Sequence, residues 1–162
     1  MKSTIVVFGS STGTCENIAN TIAEKLGVEA INVTDFSADT IANHDNLILG
    51  TSTWGAGELQ DDWYDGVNVL KDADLSGKTV AIFGCGDSES YSDTFCAAMK
   101  EIYDAAEGAN IIGSFSTDGY TFDDSDAVVD GKFIGLPLDD VNEDDKTEGR
   151  IDVWLDSIKG SL

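Results

Sequence analysis

From Ile5 to Asn17 the chain reads Ile-Val-Val-Phe-Gly-Ser-Ser-Thr-Gly-Thr-Cys-Glu-Asn: an apolar run, a hydroxyl-rich turn and the start of a helical pattern. A turn of this kind is a phosphate cradle. Ser10, Ser11, Thr12 and Thr14 supply hydroxyl donors. The first amides of the following helix lack acceptors within that helix and face an anion with the positive end of its dipole. No Lys or Arg stands in the turn. A nucleoside triphosphate, whose charge must be neutralised during transfer, calls for the Lys of G-x-x-x-x-G-K-[ST]. Neutral donors suit a monoester that is bound and kept.

Two more loops carry chemistry. Gly50-Thr51-Ser52-Thr53-Trp54-Gly55-Ala56-Gly57-Glu58 and Gly84-Cys85-Gly86-Asp87-Ser88-Glu89-Ser90-Tyr91 each set an aromatic among glycines. Trp54 and Tyr91 facing each other across a slot would take a flat heterocycle, with glycine letting backbone approach its edges.

These loops need a frame. Short β-branched runs at Ile5–Phe8, Val28–Val33, Leu47–Leu49, Val80–Phe83 and Ile111–Phe115, bounded by Gly, Ser, Asp or Asn, read as buried strands. Helical spacing links Ile18, Ile22 and Leu26; Trp63, Val67 and Leu70; Phe95, Met99 and Ile102; and Ile151, Trp154, Leu155 and Ile158. Repeated β-α alternation predicts an α/β fold over residues 1–162 as one domain. Its sheet is parallel with helices on both faces, and its ligand crevice lies beyond the carboxyl ends of the strands. All three loops follow strands. The last strand is expected to be split by an insertion at Gly119–Gly131, resuming at Lys132–Leu138 with Pro137 at its end. The acidic stretch from Asp139 to Asp145 lacks the sixth-position Gly and twelfth-position Glu of a calcium loop and reads as solvated.

The 162 residues are 41% apolar, enough for a sizeable core, and 31 acidic against 9 basic residues give a formal charge of −22. Such a charge repels nucleic acid and anionic lipid, favours a monomer and draws basic protein surfaces. The only apolar run near the start is Ile5–Phe8, so neither a signal peptide nor a membrane span is expected, and the location expected is cytoplasmic. Cys15, Cys85 and Cys96 form no C-x-x-C pair, and with His44 alone in its type they predict reduced thiols and no metal site. His44 reads as a solvated loop residue.

Gly9-Ser10-Ser11-Thr12-Gly13 also fits G-x-S-x-G, which would make Ser11 a hydrolase nucleophile; that triad needs a later histidine, apart from His44, and there is none. A phospho-acceptor domain needs acidic residues where this chain has Gly9-Ser10 and Gly50-Thr51.

The motifs S-S-T-G-T-C-E, T-W-G-A-G-E and G-C-G-D-S-E-S-Y-S-D-T-F, in this order, resemble the phosphate loop and the two ring-binding loops of flavodoxins. The likeness runs from end to end. The interrupted fifth strand, with Phe133-Ile134-Gly135-Leu136-Pro137-Leu138-Asp139, resembles the long-chain subgroup. The resemblance implies a flavodoxin-like three-layer sandwich whose five-stranded parallel sheet has the order 2-1-3-4-5, the fifth strand split. It implies non-covalently bound FMN, its phosphate on Ser10, Ser11, Thr12, Gly13, Thr14 and Cys15. The isoalloxazine would lie between Trp54 and Tyr91, with Thr53, Gly55, Ala56 and Gly57 completing the inner loop. Cys85, Gly86 and Asp87 would meet the pyrimidine end, and Asp93 would close the site. Family members usually carry Asn or Lys then Thr where this chain has Thr14-Cys15, and a thiol is the weaker donor.

The implied function is one-electron transfer at low potential, a semiquinone/hydroquinone shuttle between reductases and oxidoreductases with basic surfaces, without catalytic residues or a metal. Gly55 would turn its carbonyl toward the flavin N5. A fixed charge at ~10 Å with effective dielectric ~20 contributes about 1.7 kcal/mol against an added electron. The alternative is an FMN-dependent reductase of the same fold, which Tyr91 covering the outer ring face would exclude.

Overall fold

A computed structural model describes residues 3–9, 13–54, 58–59, 61–87, 94–120, 122–139 and 142–162, the side chains of Trp54 and Glu58 excepted. Strand β1 (Thr4–Gly9) is buried along its whole length, as befits a parallel strand covered on both faces. It lies between β2 (Glu29–Asn32) and β3 (Asn46–Trp54), and β3 in turn pairs with β5 (Thr79–Cys85), all parallel. The short β4 (Glu58–Leu59) folds back antiparallel on the end of β3.

The fifth sheet position is shared. β6 (Asn110–Ile112) pairs with the first half of β5, Thr79 opposite Asn110, while β10 (Leu136–Leu138) pairs with its second half, Phe83 opposite Leu136. The order is therefore 2-1-3-4-5 with a split last strand, as expected. The split is wider than the sequence indicates. The chain leaves the main sheet at Gly113 and returns at Gly135, and Phe115 and Lys132–Phe133, expected in the fifth strand, belong to a separate antiparallel sheet. That sheet is built from β7 (Phe115–Ser116), β8 (Val128–Val129) and β9 (Lys132–Phe133). Both departure points are glycine for steric reasons. Gly113 has φ +86 and faces the Trp154 indole, and a Cβ on Gly135 would overlap the carbonyl of Ile82 on β5. Asp130 and Gly131, with φ of 54 and 82, close the β8–β9 hairpin in the paired left-handed geometry that matches strand twist.

Pro137 stands in the middle of β10, not at its end. An edge strand tolerates it because its backbone faces away from β5. Its carbonyl accepts from Tyr120 Oη at 2.6 Å.

Alternate residues of each strand sort into two cores. Ile5, Val7, Leu47, Leu49, Val80 and Ile82 meet α3 (Trp63–Asp72) and α4 (Met99–Ala105). Val6, Phe8, Ile48, Ala81 and Phe83 meet α1 (Thr14–Leu26) and α5 (Asp144–Ile158). These are the three layers. Among the described α-helices, α2 (Ala38–Ala42) has no expected apolar stripe; it has five residues and one buried side chain, Ile41, too little for a periodic signal. Its start is marked by the Ser37 amide donating to Thr40 Oγ1 at 3.2 Å.

Two more expectations change. Phe95 does not begin α4, because Cys96 takes φ 51, which a helix cannot accommodate. Phe95 instead stacks among Tyr120, Phe122 and Phe133, with centroids 5.9, 5.7 and 6.1 Å away. His44 is half-buried rather than solvated, with Nδ1 2.8 Å from the Thr40 carbonyl at the end of α2.

Candidate functional site

Strand register places the three loops at one level. Gly9 pairs with Thr51, Thr51 with Gly84, and Gly84 with Pro137, so β1, β3 and β5 deliver their chains to the same carboxyl edge. One row below, a Cβ on Gly50 would overlap the Phe83 ring, which fixes the residue type there.

Beyond β1, Gly13 caps α1 with φ 91 and no side-chain hydrogen bond, and its carbonyl takes the Asn17 amide at 3.0 Å. As in any helix, the first-turn amides of α1, those of Thr14, Cys15 and Glu16, have no intrahelical acceptor. Thr14 is half-buried. Cys15 is fully buried in the apolar cluster beneath α1, so its thiol belongs to the core.

β3 runs on to Trp54, further than its apolar run suggested. Trp54 pairs with Glu58 and Thr53 with Leu59, antiparallel. Thr53 Oγ1 accepts from the Ala98 amide at 3.2 Å, tying this loop to the turn that precedes α4. At the end of β5, Cys85 is buried, and the next residue, Gly86, donates its amide to Leu138 O at 2.9 Å. Gly86 is pressed against Cys96, whose amide nitrogen would lie 2.9 Å from a Cβ. Asp87 is half-buried and its Oδ1 accepts from Asn142 Nδ2 at 2.8 Å.

The structure thus brings Gly13, Thr14 and Cys15 to the same edge as Thr53, the Trp54 backbone, Cys85, Gly86 and Asp87. Ser10, Ser11, Thr12, Gly55, Ala56, Gly57, Tyr91 and Asp93, and the indole of Trp54, lie outside the described residues.

Sequence reasoning passed over Asn142 and misplaced Asp139. The stretch expected to be a solvated loop has Asp139 fully buried, and Asp144 and Asp145 form the first turn of α5. Asp139 Oδ1 takes the Asn142 amide, three residues on, at 3.0 Å, a local side-chain bond of the kind Asp makes at helix starts.

Burial, and next the neighbouring Cys85, push the Cys96 thiol well above its ordinary value, so it stays protonated and inert. All three cysteines are buried and none is in a disulfide. His44 stands just before β3, at the opposite edge of the sheet, out of reach of a nucleophile after β1. Among the described residues no cluster of His, Cys, Asp and Glu could hold a metal, and no helix is long and apolar enough to cross a membrane.

Glu143, at the start of α5, bonds Lys146 Nζ at 2.8 Å and Arg150 Nη2 at 3.1 Å. The Lys146 hydrogen bond, then that of Arg150, hold its carboxyl below the ordinary 4.5 against the opposing effect of burial. A depressed folded-state pKa contributes stability that is present above the unfolded value and lost as pH falls through the folded one. Lys146 is half exposed and screened, so Arg150, with a side chain 11% exposed, carries most of that contribution. Glu143→Gln is therefore expected to lower stability at neutral pH and to leave it less dependent on pH below the ordinary value. Urea midpoints measured across an acid series check this, and parallel curves for variant and parent would refute it.

Comparison with known proteins agrees with the geometry. Residues 6–154 match the family model described as Flavodoxin. The chain is 43% identical to flavodoxin 1 of Azotobacter vinelandii, covering 93% of this chain and 91% of that one. It is 39% identical to the flavodoxin of Helicobacter pylori, covering 97% and 96%. It superposes on the Fusobacterium nucleatum flavodoxin bound to flavin mononucleotide with a TM-score of 0.93 and 31% identity, over 100% of this chain and 99% of that one. With the strand order, the loop positions and these relatives in agreement, the chain belongs to the flavodoxin family.

Proposed function

We propose that this protein binds FMN without a covalent link and carries single electrons at low potential between redox proteins. The observation that carries the reading is the register that sets Gly9 of β1, Thr51 of β3 and Gly84 of β5 in one row at the carboxyl edge, with the first turn of α1 at one side and the Cys85–Asp87 backbone at the other. As a flavodoxin the chain is an electron-transfer protein rather than an enzyme.

The residues fit the group. A phosphate monoester suits the α1 terminus, where Thr14 and the amides of Thr14, Cys15 and Glu16 are neutral donors aligned with the helix dipole. Since the Cys15 thiol is in the core, its share is the amide alone. Ser10, Ser11, Thr12 and Gly13 complete the cradle. Trp54 with Thr53, Gly55, Ala56 and Gly57 would form the inner wall, Tyr91 the outer one, and Cys85, Gly86, Asp87 and Asp93 the pyrimidine edge. Bound FMN supplies a ring able to accept and release electrons singly. The protein supplies the aromatic walls, a fixed backbone edge and a net charge of −22 that opposes electron uptake and lowers the potential.

The partners that suit this surface are reductases and oxidoreductases with basic faces, met transiently, with on-rates that fall as salt rises. The insertion between Gly113 and Gly135 supports membership of the long-chain subgroup. Residues 1–162 act as one domain, cytoplasmic and monomeric. The test is reconstitution with FMN followed by anaerobic dithionite titration. A yellow protein that reduces in two resolved one-electron steps, the second at low potential, is expected; a colourless protein that takes up no FMN would end the reading.

A further inference from the structure

We infer that Asn142 is a positioning residue for the cofactor, acting through Asp87; this rests on the FMN reading above. Asp87 lies two residues past β5 and leads into the loop that carries Tyr91. Its Oδ1 accepts from Asn142 Nδ2 at 2.8 Å across 55 residues of sequence, joining the end of β5 to the start of α5.

Asn142 is itself held before it meets Asp87. Its amide donates to Asp139 Oδ1 at 3.0 Å, and its Nδ2 lies 3.2 and 3.0 Å from the two oxygens of that carboxylate. Asp139 is fully buried, and its carbonyl takes the Glu143 amide at 2.9 Å, which anchors the whole turn on α5. The preceding residue, Leu138, accepts from the Gly86 amide at 2.9 Å and from the Cys96 thiol at 3.8 Å. Leu138 and Asn142 thus grip both residues leaving β5, Gly86 through its backbone and Asp87 through its side chain.

The chemistry of Asn142 suits this position. Two carboxylates face one carboxamide, which can donate to both without cancelling their charge. A Lys there would neutralise the negative edge, and an Asp would add a third carboxylate with no donor. Arg150, the guanidinium on α5, is engaged by Glu143 Oε1 at 3.1 Å and the Gly119 carbonyl at 3.0 Å. The clamp therefore fixes the backbone of residues 86–87 against the ring's pyrimidine edge while preserving the negative charge beside it.

The test is a double-mutant cycle on FMN affinity, with the parent, Asn142→Ala, Asp87→Ala and the double variant titrated by flavin fluorescence quenching. Losing a hydrogen bond to a charged acceptor should raise the Kd of Asn142→Ala about tenfold. In the Asp87→Ala background the same change should alter Kd by less than about twofold, since the partner is already gone. Asn142→Ser, which keeps the backbone turn but is too short to reach Asp87, should behave like Asn142→Ala and serves if the alanine variant does not fold. If the parent binds FMN and both single replacements of Asn142 bind it equally well, the clamp is wrong and the cofactor reading stands. Additive losses in the cycle would show that Asn142 acts through the fold and not through Asp87, which also overturns the proposal. A parent that takes up no FMN removes both.

Discussion

Gly135→Ala is expected to lower the thermal unfolding midpoint of the apoprotein by about 6–12 °C. The reason is a backbone obstacle. Gly135 is where the chain rejoins the main sheet, and a Cβ there would overlap the Ile82 carbonyl of β5. A flexible side chain could rotate away, but the carbonyl of a central strand is held by its ladder. β10 must therefore lift from β5, loosening the fully buried Leu136 and Leu138. Overpacking costs about 1–3 kcal/mol, and an immovable neighbour puts this site at about 3 kcal/mol. At about 2–4 °C per kcal/mol for a protein of this size, the stated range follows. Gly149 is the internal control. It sits in α5 with open space, free of other atoms to 4 Å, where a methyl would stand, so Gly149→Ala should gain about 0.5–1 kcal/mol from helix propensity. A Gly135→Ala protein melting within about 2 °C of the parent would refute the close approach. Because Leu138 holds the Gly86 amide, the same variant should also weaken FMN binding.

Trp63→Ala should cost about 4 kcal/mol. The side chain is fully buried, packs against Phe36 at a centroid distance of 6.1 Å, and donates Nε1–H to the Gly50 carbonyl at 2.7 Å. That bond ties α3 to the middle of β3, one residue below the row from which the site's loops depart. Trp63→Phe keeps most of the volume and removes the donor, and should cost about 1–2 kcal/mol. Urea denaturation of the apoprotein separates the two contributions. Saturating FMN at about 100 times Kd should add about 2.7 kcal/mol to any variant whose site survives. A Trp63→Phe protein with the parent's midpoint would show that the indole hydrogen bond contributes nothing.

The contrast between what was legible and what was not follows sequence distance. β1 and the first turn of α1 were readable because apolar runs, turn residues and helical spacing are local. The split of the last strand was readable too, but its limits were not. Phe115 and Phe133 look like strand residues in either sheet, and only their mutual pairing assigns them to the small one. The helix expected from Phe95 fails for the same reason: its spacing to Met99 and Ile102 is helical, yet Phe95 is drawn into the rings of Tyr120 and Phe122, far along the chain, and Cys96 breaks the helix.

By itself the sequence determined the layered α/β architecture, the glycine- and hydroxyl-rich loops that follow its strands, and a net charge of −22. Each is a property of neighbouring residues or of composition. Tertiary structure alone decided that Gly9, Thr51 and Gly84 share one row, that Gly135 admits no side chain, that Asp139 is buried, and that Asn142 reaches Asp87. Those facts depend on strand register and on hydrogen bonds between segments far apart in the chain, and no local pattern encodes which distant donor a buried carboxylate will meet.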